Sequence, residues 1–295
     1  MYKHERLRNN VAATLFLMPM LFGMVFIYYL PMLQALVYSF NKTNGIQLGS
    51  WVGLNNYSRV LNDPQFWSSM YNTFYMGLIT VVLHVTIPFI LASLINNLGR
   101  KQNLYKSIFF IPNIISVVAA AMLFKLVFYP TKEGLANYVL GFLGIKPQLW
   151  FADPSMSKIS ISLMGLWRGL GYNIIIFIAG LQSVPQELYE AAEVDGCTPL
   201  KRWWHITIPL LKPVIMFVII MDTISSMRRF SDVWMIGGVA GSPGGSLSTV
   251  VVYIYRYAFS SNEMGIGCAA AFMLFGIIFM LTAANNRISN KRIDE

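Results

Sequence analysis

Ser183 to Pro213, SVPQELYEAAEVDGCTPLKRWWHITIPLLKP, is a polar and charged stretch lying between two strongly apolar ones. Ser183 followed three residues later by Gln186 has the spacing of a capping box, and Pro185 falls in the first turn, where a missing N–H costs nothing. A helix is then expected through Leu188, Glu190, Ala191, Ala192 and Glu193, ending where Gly196 tolerates the left-handed conformation. Thr198-Pro199 predicts a second N-cap with proline at the first helical position. Pro209 and Pro213 predict a break or bend as the chain returns to apolar sequence. From physics alone, this is a surface hairpin of two short helices between membrane spans.

The composition supports the membrane. Of 295 residues, 56% are hydrophobic and only 12% charged, too little charge to cover a soluble globule of this length. No charged residue occurs between Arg8 and Lys42, between Asp63 and Arg100, or between Glu263 and Arg287. Each of these runs exceeds the ~20 apolar residues that cross a bilayer. The expectation is an all-α, polytopic membrane protein with about six spans, near 12–39, 69–97, 105–129, 157–181, 210–230 and 264–286. The basic opening MYKHERLRNN precedes an apolar run too long for a signal-peptide core, and so predicts a retained first span.

The net charge of +9 comes from Lys and Arg spread among loops, which records topology rather than nucleic-acid binding. Lys3, Arg6 and Arg8 open the chain, Arg100, Lys101 and Lys106 follow the second span, Lys201, Arg202 and Lys212 lie in the hairpin, and Arg287, Lys291 and Arg292 end the chain. The loops 40–68 and 130–156 carry only Lys42 and Arg59, then Lys132 and Lys146. The positive-inside tendency therefore puts both termini and the hairpin in the cytoplasm, with Arg228, Arg229 and Arg256 counting against it. In the first loop, WVGLNNY (51–57) is expected to be an amphipathic segment anchored by its aromatics at the outer interface, and the Gly/Ser/Pro-rich 237–245 an irregular loop.

Catalytic and metal-binding patterns are missing. There is no GxxxxGK[ST] phosphate loop, so ATP hydrolysis is not expected of this chain. His4, His84 and His205 are dispersed, Cys197 and Cys268 have no metal-site spacing, and no nucleophile elbow or carboxylate dyad stands out. His84 is expected to pack or hydrogen-bond within the second span.

Ionisable groups inside a span are costly and mark protein interiors or water-filled paths. Lys125 lies near the end of the third span and is expected to snorkel. Arg168 lies ~15 Å of helix rise beyond Lys158, near mid-membrane, with Tyr172 one turn further on the same face and Asn173 beside it. Asp222 and Arg229 fall on nearly one face of the fifth span, and Arg228 and Asp232 are spaced for an i,i+4 pair. These acids and bases either pair with each other or line a solute path, and both can hold together.

Glu190-Ala191-Ala192, Gly196 beyond Glu193, and Ile206 and Leu210 around Pro209 resemble the EAA loop of binding-protein-dependent ABC importer permeases. LQSVP at 181–185, WVGLNNY, FSDVW at 230–234 with Gly237-Gly238, Tyr253 to Phe259 and Met264-Gly265 resemble the carbohydrate-type subgroup, the maltose and glycerol-phosphate permease relatives. Cys197 stands where the family often has alanine, and VAGSPGG lengthens the stretch after the paired glycines. The resemblance implies the type I ABC importer permease fold, with one permease domain over 1–295 (core about 65–290) and a cytoplasmic coupling loop at 183–213.

By the same resemblance Glu187, Leu188, Glu190, Ala191, Ala192, Asp195 and Gly196 would couple the chain to an ATPase. Arg168, Tyr172, Asn173, Asp222, Arg228, Arg229 and Asp232 would line the solute pathway. Implied partners are a second homologous permease, two ABC ATPase subunits carrying ATP and Mg, an extracytoplasmic solute-binding protein and the lipid bilayer of a bacterial plasma membrane. No cofactor or metal is expected in this chain. The implied solute is a sugar or oligosaccharide. The arginines keep open an anionic one, such as a uronate oligosaccharide or a glycerol-phosphate-like polyol. A lone ion-coupled transporter is the competing class, and it leaves the hairpin unexplained.

Overall fold

The computed structural model describes residues 14–291, so that Lys3, His4, Arg6, Arg8, Arg292 and the expected start of the first span at residue 12 lie outside the described residues. Within them the chain forms two compact units. One holds the chain up to Asp63 with Ile254–Met273, and the other holds Pro64–Tyr253 with the chain from Leu274.

In the first unit, helix α1 (Thr14–Ser39) includes a π-helical turn at Met24–Tyr29 and buries none of its membrane-length window inside the chain. A helix apolar all round and left uncovered belongs in lipid or against another subunit. The loop after it adds one short hairpin to an otherwise helical chain. Strands β1 (Asn41–Thr43) and β2 (Leu48–Trp51) pair antiparallel around Gly45, whose φ of +91° suits the turn. Trp51 stacks on Phe40 at 5.4 Å, and α2 (Asn55–Leu61) sends Asn56 Nδ2 to the Ser39 and Asn41 carbonyls at 2.9 and 3.0 Å. Arg59 pairs with Glu263 at 3.0 Å, and Tyr257 donates to Asp63 at 2.8 Å.

The second unit is built on two long helices, α3 (Pro64–Asn96) and α7 (Pro154–Gln182). Between them in sequence come α4 (Gln102–Ile114), α5 (Val117–Val127) and the short α6 (Leu135–Phe142). Asp153 caps α7, its Oδ1 accepting from the Ser155 and Met156 amides at 2.8 and 3.0 Å, with Pro154 at the first position. After α7 come α8 (Gln186–Val194) and a continuous helix, α9 (Pro199–Met227), containing a π-turn at Trp203–Thr207. The unit also contains α10 (Ser231–Gly237) and α11 (Val250–Tyr255). Helix α12 (Met264–Lys291) follows. Among the described residues of this second unit, one apolar cluster gathers around Met76, Phe128, Trp150, Met164 and Val252, and another around Phe89, Phe177, Leu181, Leu211 and Val218. In lipid, helix association rests on van der Waals packing and on small residues that let backbones approach. Gly171 serves that purpose, since a Cβ there would strike the Phe109 carbonyl of α4.

Among the described residues five helices are long and apolar enough to cross a membrane, and six if a bent pair counts as one span. That pair corrects the uninterrupted third span expected at 105–129. Its two helices, Gly99–Ile114 and Val117–Val127, meet at 98°. Pro112 withdraws a donor from the last turn of α4, Ile115 is extended, and the Ser116 hydroxyl accepts from the Ala119 amide at 3.2 Å to start α5 afresh. Of the break or bend expected at Pro209 and Pro213, the break is corrected, since the helix runs on through both. Both prolines sit within α9, Pro209 just after the π-turn Trp203–Thr207, whose looser pairing suits a missing donor, and Pro213 one turn further into the helix.

Candidate functional site

The 183–213 segment folds as a helical hairpin whose two turns are fixed by its small residues. Gly196, at φ +72°, ends α8 in a Schellman motif, with its amide donating to Glu193 O at 3.0 Å and the Cys197 amide to Ala192 O at 2.8 Å. Thr198 Oγ1 then accepts from the Lys201 amide at 3.5 Å with Pro199 leading the next helix, as its spacing predicts. Ser183 does not cap α8. It ends α7, and its hydroxyl donates to Gly180 O at 2.7 Å, so the capping-box reading is corrected: Pro185 holds the N-cap position, with no side-chain cap bond.

Glu187, Leu188, Glu190, Ala191, Asp195 and Gly196 are exposed and Ala192 is half-buried. Among the described residues no ion pair engages Glu187, Glu190 or Asp195, while Glu193 is held by Arg202 Nη1 at 2.9 Å. Two contacts not anticipated from sequence fasten the hairpin. Tyr189 OH meets Thr207 Oγ1 at 3.0 Å, and Trp203 Nε1 donates to Ser93 Oγ of α3 at 3.0 Å. Beside them is a cavity of about 690 Å³, bordered by Ser93, Gln182, Tyr189, Arg202 and Trp203. The half-buried aromatics at 189 and 203 were the available signal in an otherwise polar stretch.

A second polar cavity, of about 320 Å³, gathers most of the expected pathway residues. Arg168 of α7, Asp222 of α9, Arg228, Arg229 and Asp232 all line it, together with Thr80 and His84 of α3. Asn173 lies behind that wall and reaches it through Asp222, donating from Nδ2 to Oδ2 at 3.0 Å. Tyr172 is not among the lining residues and is 51% exposed, despite lying one turn from Arg168.

The expected pairings are rearranged. Helix α9 ends at Met227, so Arg228 and Arg229 no longer follow its face, and Phe230 at φ −139° turns the chain into α10. Asp232 therefore pairs with Arg229, Oδ2 to Nε at 3.0 Å, and not with Arg228, which stays exposed. Arg229 Nη1 also donates to Thr80 Oγ1 at 3.2 Å. Asp222 meets His84 Nδ1 at 3.3 Å instead of Arg229. Arg168 Nη2 donates to the Ile115 carbonyl at 3.5 Å, at the break between α4 and α5, and its Nε is buried without a hydrogen-bond partner. This wall of donors, acceptors and partly compensated charge suits a hydroxyl-rich solute better than an apolar one.

Residues 84–293 match the family described as binding-protein-dependent transport system inner membrane components. The chain is 34% identical over 282 residues to the arabinooligosaccharides transport system permease protein AraP of Bacillus subtilis, covering 95% of this chain and 89% of that one. It is 37% identical over 238 residues to the lactose transport system permease protein LacF of Rhizobium radiobacter, covering 80% and 78%. Its fold resembles a chain of a bacterial alginate ABC transporter, crystallised in complex with alginate pentasaccharide-bound periplasmic protein, with a TM-score of 0.84 at 20% identity, covering 97% of this chain and 96% of that one. Family match, curated relatives and fold agree, and the chain belongs to the binding-protein-dependent transport system inner membrane components, the permeases of ABC importers.

Proposed function

We propose that this permease forms half of a translocation pathway for a sugar or oligosaccharide, driven by partner ATPases through the hairpin at 183–213. The observation that carries the reading is the pairing, in one chain, of a helical hairpin presenting Glu187 and Glu190, which have no ion pair among the described residues, with a polar cavity walled by spanning helices. Relatives named for arabinooligosaccharides, lactose and trehalose/maltose support a carbohydrate solute.

In this reading ATP and Mg bind the ATPase subunits, not this chain. Closure of the ATPases carries the two hairpins of a permease pair with it, and the pair opens outward to receive solute from a binding protein. Hydrolysis returns it inward. Glu190 meets a basic ATPase residue, with Glu187, Leu188 and Asp195 around it. Ala191 and Ala192 allow close approach, and Gly196 makes the turn. Both termini and the hairpin face the cytoplasm. Arg168, Asp222, Arg228, Arg229 and Asp232 face the solute or hold those that do, with Asn173 in support and Tyr172 left for the second permease. The anionic alternative loses ground, because Arg229 is engaged by Asp232 and Arg168 turns to a backbone carbonyl.

Purification of the chain from its native membrane in mild detergent tests the assembly. The expected result is recovery of an ABC ATPase and a second permease, with uptake of neutral oligosaccharide into liposomes that requires ATP and the binding protein. A chain that purifies alone and transports without ATP would overturn the proposal.

A further inference from the structure

Pro88 lies inside α3, where it has no N–H to give the carbonyl of His84 four residues earlier. Asn173 Nδ2 of α7 supplies that donor at 3.0 Å, and the same amide nitrogen donates to Asp222 Oδ2 of α9 at 3.0 Å. The other oxygen of Asp222 meets His84 Nδ1 at 3.3 Å. Three helices thus meet at the one turn of α3 that lacks its own bond, and His84 and Asp222 both face the polar cavity.

The next residues of α3 are gripped from the hairpin. The ring of Trp203 stacks on Phe89 with centroids 5.2 Å apart and planes 26° from parallel. Its Nε1–H donates to Ser93 Oγ at 3.0 Å, and the Ser93 hydroxyl donates to the Phe89 carbonyl at 2.9 Å. Trp203 therefore holds one turn of α3 both by stacking and by a two-step hydrogen-bond relay. It is also the first residue of the π-turn Trp203–Thr207, the join between the hairpin and the rest of α9. Pro88 separates this grip from His84.

We infer that Trp203 is a positioning residue for transport, carrying displacement of the hairpin into α3, which pivots at Pro88 and moves His84 against Asp222 of α9 in the cavity wall. The inference rests on the hairpin being the coupling element proposed above. Stacking on Phe89 does not require the Nε1 bond, so Ser93→Ala, which removes the acceptor and keeps the indole, isolates the transmission, and Trp203→Phe keeps an aromatic ring there without the donor.

The test uses the whole complex with its ATPases, in a Cys197→Ser, Cys268→Ala background carrying Ser225→Cys at the cavity. A water-soluble methanethiosulfonate reagent is the probe, and its labelling rate is compared between nucleotide-free and ADP–vanadate-trapped complexes. The expected rate difference is about fivefold or more, the factor a modest coupling free energy gives. Trp203→Phe and Ser93→Ala should each collapse that difference to below about twofold at unchanged assembly and ATP turnover, while Trp204→Phe, altering an exposed neighbour, preserves it. Undiminished nucleotide dependence in both Trp203→Phe and Ser93→Ala overturns the inference and leaves the coupling role standing. A complex whose ATPase turns over with no rate difference in the parent also overturns it. A chain that brings no ATPase at all overturns the coupling role together with the inference.

Discussion

Arg229 and Asp232 close on each other across the junction between α9 and α10, Nε to Oδ2 at 3.0 Å, with side chains only 8% and 14% exposed. Sequence spacing pointed to Arg228 for this acid, on the premise of an unbroken helix. The chain instead leaves the helix at Met227, which lets the acid turn back onto the nearer guanidinium. The Asp232 carboxylate also accepts the Val233 amide at 2.9 Å at the start of α10. The pair thus fixes a helix start as well as neutralising the cavity wall.

Removing one partner of so enclosed a pair leaves an uncompensated charge. Asp232→Ala is expected to cost about 3–5 kcal/mol, seen as a lower melting temperature of the detergent-solubilised chain. Arg229→Leu combined with Asp232→Leu should recover much of that loss, because replacing both charges removes the desolvation cost with the attraction. An Asp232→Ala protein that melts like the parent would show the pair to be irrelevant to stability.

Glu190 is exposed on α8 and has no ion pair among the described residues. Glu190→Lys should therefore leave folding within about 0.5 kcal/mol of the parent. Solute uptake should fall about tenfold or more, since reversing one charge of a close interfacial pair costs over 1 kcal/mol. Uptake at the parental rate in that variant would remove Glu190 from the contact with the ATPase.

The spans that could be read from sequence are those where apolar residues dominate over a membrane's thickness, even with Lys158 and Arg168 inside the fourth. The expected 69–97 and 157–181 are found as Pro64–Asn96 and Pro154–Gln182, each extended at its start by a proline in the first turn. The 98° break in the third was hidden because Ile115 and Ser116 interrupt the apolar run without a charge. Gly196 and Thr198-Pro199 were legible because their roles depend on local backbone conformation. Ser183 was not, because the same hydroxyl can start one helix or finish another, and the preceding α7 claimed it. The cavity was legible as a set of costly residues within spans. Its pairings depended on which helices meet, so that His84 entered as the partner of Asp222 only in three dimensions.

Asp153, outside the membrane-spanning stretch of α7, predicts a pH dependence. The Ser155 hydroxyl first, then the Met156 and Ser155 amides, hold its carboxyl below the usual aspartate value. A carboxyl with a lowered folded pKa contributes stability that is present above its unfolded value, about 3.9, and is lost as pH falls through the folded value. The melting-temperature gap between the parent and Asp153→Ala should therefore be steady from neutral pH to about pH 5 and narrow below about pH 4. A gap that widens on acidification would contradict the capping geometry.

Arg168 separates solute recognition from scaffolding. Were it a ligand for anionic solute, Arg168→Ala would impair transport of a uronate oligosaccharide far more than of a neutral one. Its Nη2 instead reaches the Ile115 carbonyl, where α4 has ended and the chain has yet to turn into α5. A cation at a helix C-terminus is favoured by the carbonyls left unpaired there. The expected outcome is thus an equal loss for both solutes, roughly fivefold for a bond of about 1 kcal/mol. Arg168→Lys should recover part of it, since an ammonium can also serve a carbonyl. A loss confined to the uronate would return Arg168 to the solute and leave the break at Ile115 held by Ser116 alone.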